Sequence, residues 1–297
     1  MSESLAAANR RGILCMVGAM ASFVSNDALV KFASQTMPSA QLIFVRGVMA
    51  LLLALAVTHA MGLTPRIAEV RRGWPAGRAL VDAIATMLYL SSLFYLPIGN
   101  ATAINLATPL MMAVFAAMFM SERVQGARWV AIFAGFIGVL LVIQPTASGF
   151  NGYALLCLLG TLFHAARDLM TRRIDPGTPS ILITLATAVA VTALSGGLSL
   201  VQGWQPFGLF EFGLLALASV FLFAGYYLII TSMRQGEMTL VAPFRYSGLL
   251  VAVVIGYVVW GEVPNGLAWS GIALLIGSGL FILRHEQRGR RASAASG

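Results

Sequence analysis

The sequence predicts an all-α integral membrane protein whose ten transmembrane helices form two inverted five-helix repeats. Three observations carry that prediction. Of 297 residues, 59% are hydrophobic and only 10% charged, with a mean hydropathy of +0.85, whereas a soluble domain carries roughly 25% charged residues. The apolar residues fall into ten runs, each near the roughly 20 residues that a helix needs to cross a bilayer. One hinge is also written twice: "SERVQGARW" at 121–129 returns 140 residues later as "GEVPNGLAW", aligning Glu122, Gly126 and Trp129 with Glu262, Gly266 and Trp269.

Hydropathy and breaker residues place the elements in order. Helix 1 spans 12–32; "AMAS" at 19–22 after Arg10-Arg11 imitates a signal-peptide cleavage site, but the apolar run continues to Lys31, so this helix is expected to stay. Helix 2 spans 39–60, and the longest connector, "MGLTPRIAEVRRGWPAG", leads to helix 3 at 77–97. Helices 4 and 5 cover 100–120 and 128–144; helices 6, 7 and 8 cover 151–171, 179–201 and 209–232; helices 9 and 10 cover 239–260 and 268–284. Pro109 in helix 4 and Pro243 in helix 9, with Gly99 and Gly236 at the junctions before them, are expected to kink or break their helices. The Gly-rich tenth helix, "GIALLIGSGLF", sets Gly271 near Gly277 and suits close helix packing. No connector is long enough for an extramembrane domain, and the halves divide as 1–148 and 149–297.

Basic residues set the orientation. With the N-terminus in the cytoplasm, Arg10, Arg11, Arg66, Arg71, Arg72, Arg78, Arg123, Arg128, Arg172, Arg173, Arg234, Arg284, Arg288, Arg290 and Arg291 all fall inside. The opposite loops contain no Lys or Arg, and the remaining four of the 19 basic residues, Lys31, Arg46, Arg167 and Arg245, lie within spans. Both termini are therefore expected in the cytoplasm, in the inner (plasma) membrane. The net charge of +8 is distributed as a topology signal rather than as a nucleic-acid patch. Cys15 and Cys157 lie in apolar runs and suggest neither a disulfide framework nor a metal site.

Five helices separate the two hinge copies, so they fall on opposite faces and the halves must insert in opposite senses. The charge difference follows: Arg123 and Arg128 sit in a cytoplasmic loop, while Val263 and Ala268 replace them on the far side. Other matches keep a nearly constant offset. Asp27 and Lys31 match Asp168 and Arg172 at 141, as does "MPSAQ" with "TPSIL"; Tyr89, Gly99 and Thr102 match Tyr226, Gly236 and Thr239 at 137.

The run "YLPIGNATAINLATPLMMAVFAAMFMSERVQGARWVAIFAGFIGVLLVI" at 95–143, the Glu at two helix ends, and "PSAQLIFVRGVMA" resemble the drug/metabolite transporter superfamily, specifically its EamA-type ten-helix carriers. The resemblance covers essentially the whole chain and extends loosely to the YddG-type amino-acid exporters. Arg46 stands where the family often has an Arg in helix 2, and Thr187 occupies the matching place in the second half. The resemblance implies a basket of helices around a central cavity, and substrates among amino acids, other small metabolites and drugs.

Ionisable groups at membrane depth are functional candidates by default. Asp27 with Lys31, and Asp168 with Arg172, are i, i+4 pairs, suited to a gating or structural salt bridge, or to proton coupling. Asp82 lies one turn after Arg78, near the cytoplasmic surface, and suits an interfacial bridge. Arg46 and Arg245 have no acidic neighbour at helical spacing, so each either grips a substrate carboxylate or bridges to a carboxylate on another helix. His164, with Asp168 one turn on, suits a proton relay or a hydrogen bond to a neighbouring helix. Tyr89, Tyr226 and Tyr246 are rings that could line a cavity and contact substrate, whereas Trp74, Trp129, Trp204 and Trp269 suit the interfacial belt.

These features favour a secondary transporter working by alternating access. No HExxH, GxSxG or Cys/His metal spacing suggests an intramembrane enzyme, no filter sequence suggests a channel, and no Walker A motif suggests ATP drive. No catalytic residue, metal or cofactor is expected; the expected partners are a small-molecule substrate, the lipid bilayer and protons, with no nucleic acid. A zwitterionic amino acid with a neutral or aromatic side chain suits Arg, Asp and Tyr together, and its export is the expected function, though direction itself is not written in the sequence. Other metabolites and cationic drugs are the alternative cargo.

Overall fold

The computed structural model describes residues 2–119, 126–144, 151–171, 173–175, 177–235 and 242–295. Among these the chain is all helix, with eleven α-helices, two short 3-10 turns and no strand. The helices are α1 (Ser2–Ala33), α2 (Ser39–Ala60), α3 (Gly73–Leu93), α4 (Ile98–Asn105), α5 (Thr108–Phe119), α6 (Gly126–Ile143), α7 (Gly152–Thr171), α8 (Ser180–Gln202), α9 (Leu209–Gln235), α10 (Ser247–Trp260) and α11 (Gly266–Ala295). The 3-10 turns are Thr64–Val70 and Ala242–Tyr246.

Most expected spans have a matching helix within a few residues. Pro38, Pro97 and Pro179 sit at the N-caps of α2, α4 and α8, where a fixed φ and a missing N–H do no harm. Helix 4 is two helices. Pro109 lacks an N–H and its ring crowds the carbonyl four residues earlier, which is that of Asn105, the last residue of α4. The Thr108 hydroxyl donates to that carbonyl at 2.6 Å, so the break leaves it satisfied. Helix 9 likewise opens as a 3-10 turn around Pro243 before α10 begins. Unforeseen was the 3-10 turn in the long connector, which buries Val70. Among the described residues, five helices are long and apolar enough to cross a membrane, from Arg10, Ser39, Gly152, Ser180 and Leu209 onward. Three shorter apolar helices cover Trp129–Ile143, Phe244–Trp260 and Gly266–Phe281.

The chain divides into two compact units, one of Ser25–Leu96 with Gly152–Phe223, the other of Met1–Val24, Pro97–Asn151 and Ala224–Gly297. Each takes segments from both halves of the sequence, and the division passes through α1 and α9.

In the unit of Ser25–Leu96 and Gly152–Phe223, α3 and α7 run antiparallel. Arg78 meets Thr171, Asp82 meets Arg167, Gly160 lies against the Tyr89 backbone, and Tyr95 stacks on Tyr153 with ring centroids 4.0 Å apart. A Cβ on Gly160 would stand 3.0 Å from the Tyr89 nitrogen, so the missing side chain lets the two backbones close. Helices α2 and α8 are antiparallel too, with Gly47 against Thr192 and Gly196 against Phe44. The Lys31 ammonium at the end of α1 donates to the Leu96 carbonyl just beyond α3 at 2.6 Å. The end of α7, by contrast, lies beside the start of α3, where Arg78 Nε donates to Thr171 Oγ1 at 2.9 Å. The repeat-related α1 and α7 thus run in opposite senses against one shared neighbour, which is the inversion the sequence predicts.

In the other unit, α6 and α11 meet at glycines. A Cβ on Gly138 would lie 2.7 Å from the Gly271 carbonyl oxygen, and one on Gly271 would lie 2.5 Å from that of Gly138. The expected neighbour Gly277 instead faces open space, because it projects from a different face of α11. Beyond α10, Gly261 takes the left-handed conformation at φ 67°, and the next residue, Glu262, turns back so that Oε2 accepts the Ile98 backbone N–H at 2.8 Å. This carboxylate caps α4, a favourable place for negative charge. Asn265 Oδ1 accepts the Ala268 N–H at 2.8 Å and caps α11, and the Asn265 and Gln144 amides exchange hydrogen bonds of 2.7 and 2.9 Å. In the first copy of the hinge, Glu122 and Arg123 lie outside the described residues.

Candidate functional site

Two polar clusters form in one unit, at opposite ends of α3. The first contains Arg78 and Asp82 of α3, Arg167, Asp168 and Thr171 of α7, and Thr187 of α8. Helical spacing puts Arg78 one turn before Asp82, and Nη1 stands 3.3 Å from Oδ2, so the bridge expected between them forms. The antiparallel register brings Arg167 opposite, its Nη1 2.8 Å from Asp82 Oδ1. The same guanidinium holds Asp168 Oδ1 through Nε at 2.9 Å and Nη2 at 2.8 Å. Arg78 also donates to the Thr187 and Thr171 hydroxyls at 2.7 and 2.9 Å. Asp82 is only 2% exposed, and such a carboxylate needs its charge matched and hydrogen-bonded. Among the described residues, two arginines and two aspartates supply that match.

The second cluster lies toward the other end of α3. Tyr89 is seven residues beyond Asp82, about 10 Å further along the helix. Its hydroxyl donates to Asp27 Oδ2 at 3.0 Å, and the Asn26 amide donates to Asp27 Oδ1 at 2.9 Å. Arg46 Nη1 in turn donates to Asn26 Oδ1 at 3.0 Å, and the Arg46 carbonyl accepts from Ser219 at 3.3 Å. The His164 ring lies against that of Tyr89, with centroids 5.9 Å apart. Asn26, Arg46, Tyr89 and His164 are buried, whereas Asp27 is half-buried.

Asp27, Lys31, Arg46, Tyr89, His164 and Asp168 therefore belong to one unit. Asp27, Arg46, Tyr89 and His164 share a cluster; Lys31 reaches the Leu96 carbonyl; Asp168 joins the arginine cluster through Arg167. Arg172 lies outside the described residues. The remaining three belong to the other unit: Tyr226 packs edge-on against Phe23 at 5.3 Å, Arg245 is half-buried in a 3-10 turn, and Tyr246 is buried beside Gly279. Sequence reasoning missed Asn26, which links Arg46 to Asp27. An amide inside an apolar run signals a hydrogen-bonding need as surely as a charge does, and that signal was available.

Known proteins agree with this architecture. The profile of the EamA-like transporter family matches residues 10–144 and again 151–284. A riboflavin transporter of Rhizobium johnstonii is 30% identical over 289 residues, covering 95% of this chain and 94% of that protein. The pseudopaline exporter of Pseudomonas aeruginosa is 26% identical over 270 residues, covering 90% and 94%. An S-adenosylmethionine uptake transporter of Rickettsia bellii is 27% identical over 196 residues, covering 65% and 66%. A crystal structure at 17% identity superposes with a TM-score of 0.63 over 93% of this chain and 99% of that one, which shows the fold. Matched twice by the profile and resembling full-length carriers nearly end to end, this chain belongs to the EamA-like transporter family, multi-pass membrane carriers of small metabolites.

Proposed function

We propose that the protein is a secondary carrier in the plasma membrane, both termini cytoplasmic, that moves a ring-bearing, polar metabolite by alternating access, with riboflavin as the first cargo to test. The observation that carries this reading is the second cluster. Asp27, Asn26, Arg46, Tyr89 and His164 bring hydrogen-bond donors, acceptors and two aromatic rings together in otherwise apolar helices. A flavin offers the complementary groups: a flat heterocycle that stacks on rings and an edge and side chain that both donate and accept. The riboflavin transporter from Rhizobium johnstonii, alike over nearly the whole chain, supports that choice.

A second reading, export of neutral or aromatic amino acids, is favoured by one feature. Arg46 and Asp27 set opposite charges on either side of one amide, which suits a zwitterion: the guanidinium takes a carboxylate in bidentate fashion and Asp27 takes an ammonium. In this reading Tyr89 and His164 of the same unit are further substrate contacts, and Lys31 and Arg172 serve the gates.

Flux in proteoliposomes separates the readings. Labelled riboflavin, a panel of neutral and aromatic amino acids, a nucleotide sugar and a cationic dye are each measured inward and outward. Saturable riboflavin movement, lost in Arg46→Ala, supports the first reading. Saturable amino-acid movement without riboflavin movement transfers the assignment to the second. Flux of the dye or nucleotide sugar alone refutes both.

A further inference from the structure

The offsets that align the two halves also relate four positions of the two clusters, while Tyr89 matches Tyr226 of the other unit. At 141 residues, Asp27 matches Asp168, Asn26 matches Arg167 and Arg46 matches Thr187; at 137 residues, Asp82 matches Ser219. The clusters thus share one repeated element, in which the carboxylate near the end of α1 or α7 is held by the residue before it. What differs is the chemistry of the donors. Asp168 and Asp82 are held by guanidinium groups, while Asp27 is held by an amide and a phenol.

That difference decides which carboxylate can take up a proton and keep its neighbours. A guanidinium only donates. Protonating Asp82, whose two oxygens each face a guanidinium, would set an O–H donor against N–H donors; at Asp82 and Asp168 alike it would abolish the ion pair with Arg167. A tyrosine hydroxyl donates or accepts. If Asp27 takes a proton on Oδ2, that new O–H can donate to Tyr89 Oη, and the Tyr89 hydrogen turns toward another acceptor. The Asn26 amide continues to donate to Oδ1, which remains a carbonyl-like acceptor. One proton arrives from water, no other bond forms or breaks, and the hydrogen bond between Asp27 and Tyr89 reverses.

We propose that Asp27 Oδ2 is a proton-binding site of this carrier, that Tyr89 reports its state by reversing their hydrogen bond, and that the arginine cluster is the repeat-related counterpart locked against protonation. The groups facing Asp27 are consistent with this role. Arg46 of α2 acts on it by charge from behind Asn26, His164 stands across the Tyr89 ring, Cys157 of α7 is within electrostatic reach, and Lys31 is one turn on along α1. The coupling of this proton to cargo rests on the carrier reading; the site itself does not.

The test is infrared difference spectroscopy of the full-length protein in lipid, titrated in pH without cargo, on the wild type and on Asp27→Asn, Asp168→Asn and Tyr89→Phe. The expected result is a protonated-carboxyl C=O band that grows as pH falls, is absent in Asp27→Asn and persists in Asp168→Asn. In Tyr89→Phe the band should move to higher frequency, because its hydrogen-bond partner is gone. A band that survives Asp27→Asn, disappears with Asp168→Asn, or keeps its position in Tyr89→Phe overturns the assignment; the Tyr89→Phe arm decides even if Asp27→Asn does not fold. A band with the expected behaviour in a protein that moves no riboflavin refutes the cargo reading and leaves the proton site standing.

Discussion

Replacing Arg167 with Ala tests whether the arginine cluster is a clamp. Asp82 is 2% exposed and receives three contacts: Arg167 Nη1 at 2.8 Å, Arg78 Nη1 at 3.3 Å and Thr187 Oγ1 at 3.3 Å. Arg167→Ala removes the shortest, a charge-assisted bond worth about 1.5–3 kcal/mol. It also leaves a buried carboxylate with two long contacts, a situation in which breaking a buried pair costs about 3–5 kcal/mol. Arg78 remains, so the loss should sit at the lower end, about 3 kcal/mol. Asp168 adds little, because its side chain is 24% exposed and water replaces the lost donor. The assay is unfolding of the purified protein in detergent, beside Arg167→Gln, Asp82→Asn and the double variant Asp82→Asn/Arg167→Gln. The double variant removes both charges together and should recover more than half of the loss, the signature of coupled neighbours in a mutant cycle. A single variant within about 1 kcal/mol of wild type, the range of an exposed pair, would refute the clamp, as would single losses that simply add.

Three further outcomes are expected. Gly271→Ala should destabilise by about 1–3 kcal/mol through overpacking, since its Cβ meets the Gly138 carbonyl oxygen, whereas Gly277→Ala, in open space, should not destabilise; unfolding midpoints compare the two. Glu262→Ala leaves the Ile98 N–H without that acceptor and should cost about 1–3 kcal/mol, while Glu262→Gln, which keeps a carbonyl-type acceptor there, should lose less by the same measurement. Asn265→Ala removes the cap of α11 and the amide pair with Gln144 and should cost about 1 kcal/mol; Asn265→Asp keeps the capping oxygen and should recover part of it.

The candidate site was partly legible before the structure. Asp27, Arg46, Tyr89 and His164 stand out in the sequence because charge, amide and phenol are conspicuous in apolar runs, and the structure gathers these four. Their pairing was not legible. The i, i+4 rule suggested Lys31 for Asp27, but Lys31 reaches a carbonyl beyond α3 and Asp27 binds a tyrosine 62 residues away. The same rule succeeded for Arg78 and Asp82, which share one helix face, although each makes a shorter contact with another helix, Arg78 to Thr187 and Asp82 to Arg167.

Composition, the positions of Lys and Arg, and a hinge written twice were enough to determine a membrane-spanning, all-helical, two-repeat protein. Each of these is a property of local segments and of the bilayer as solvent: apolar length sets spans, and an odd number of helices per repeat forces inversion. The tertiary structure decided which polar groups meet, because partners on different helices depend on register. An offset of one residue between α3 and α7 would carry Arg167 away from Asp82, and nothing local records that offset except glycines such as Gly160, whose missing side chain lets the helices close. The asymmetry between a carboxylate held by arginines and its repeat-related partner held by a tyrosine is likewise a matter of which helices touch. It emerges only when the two halves of the chain are folded into one unit.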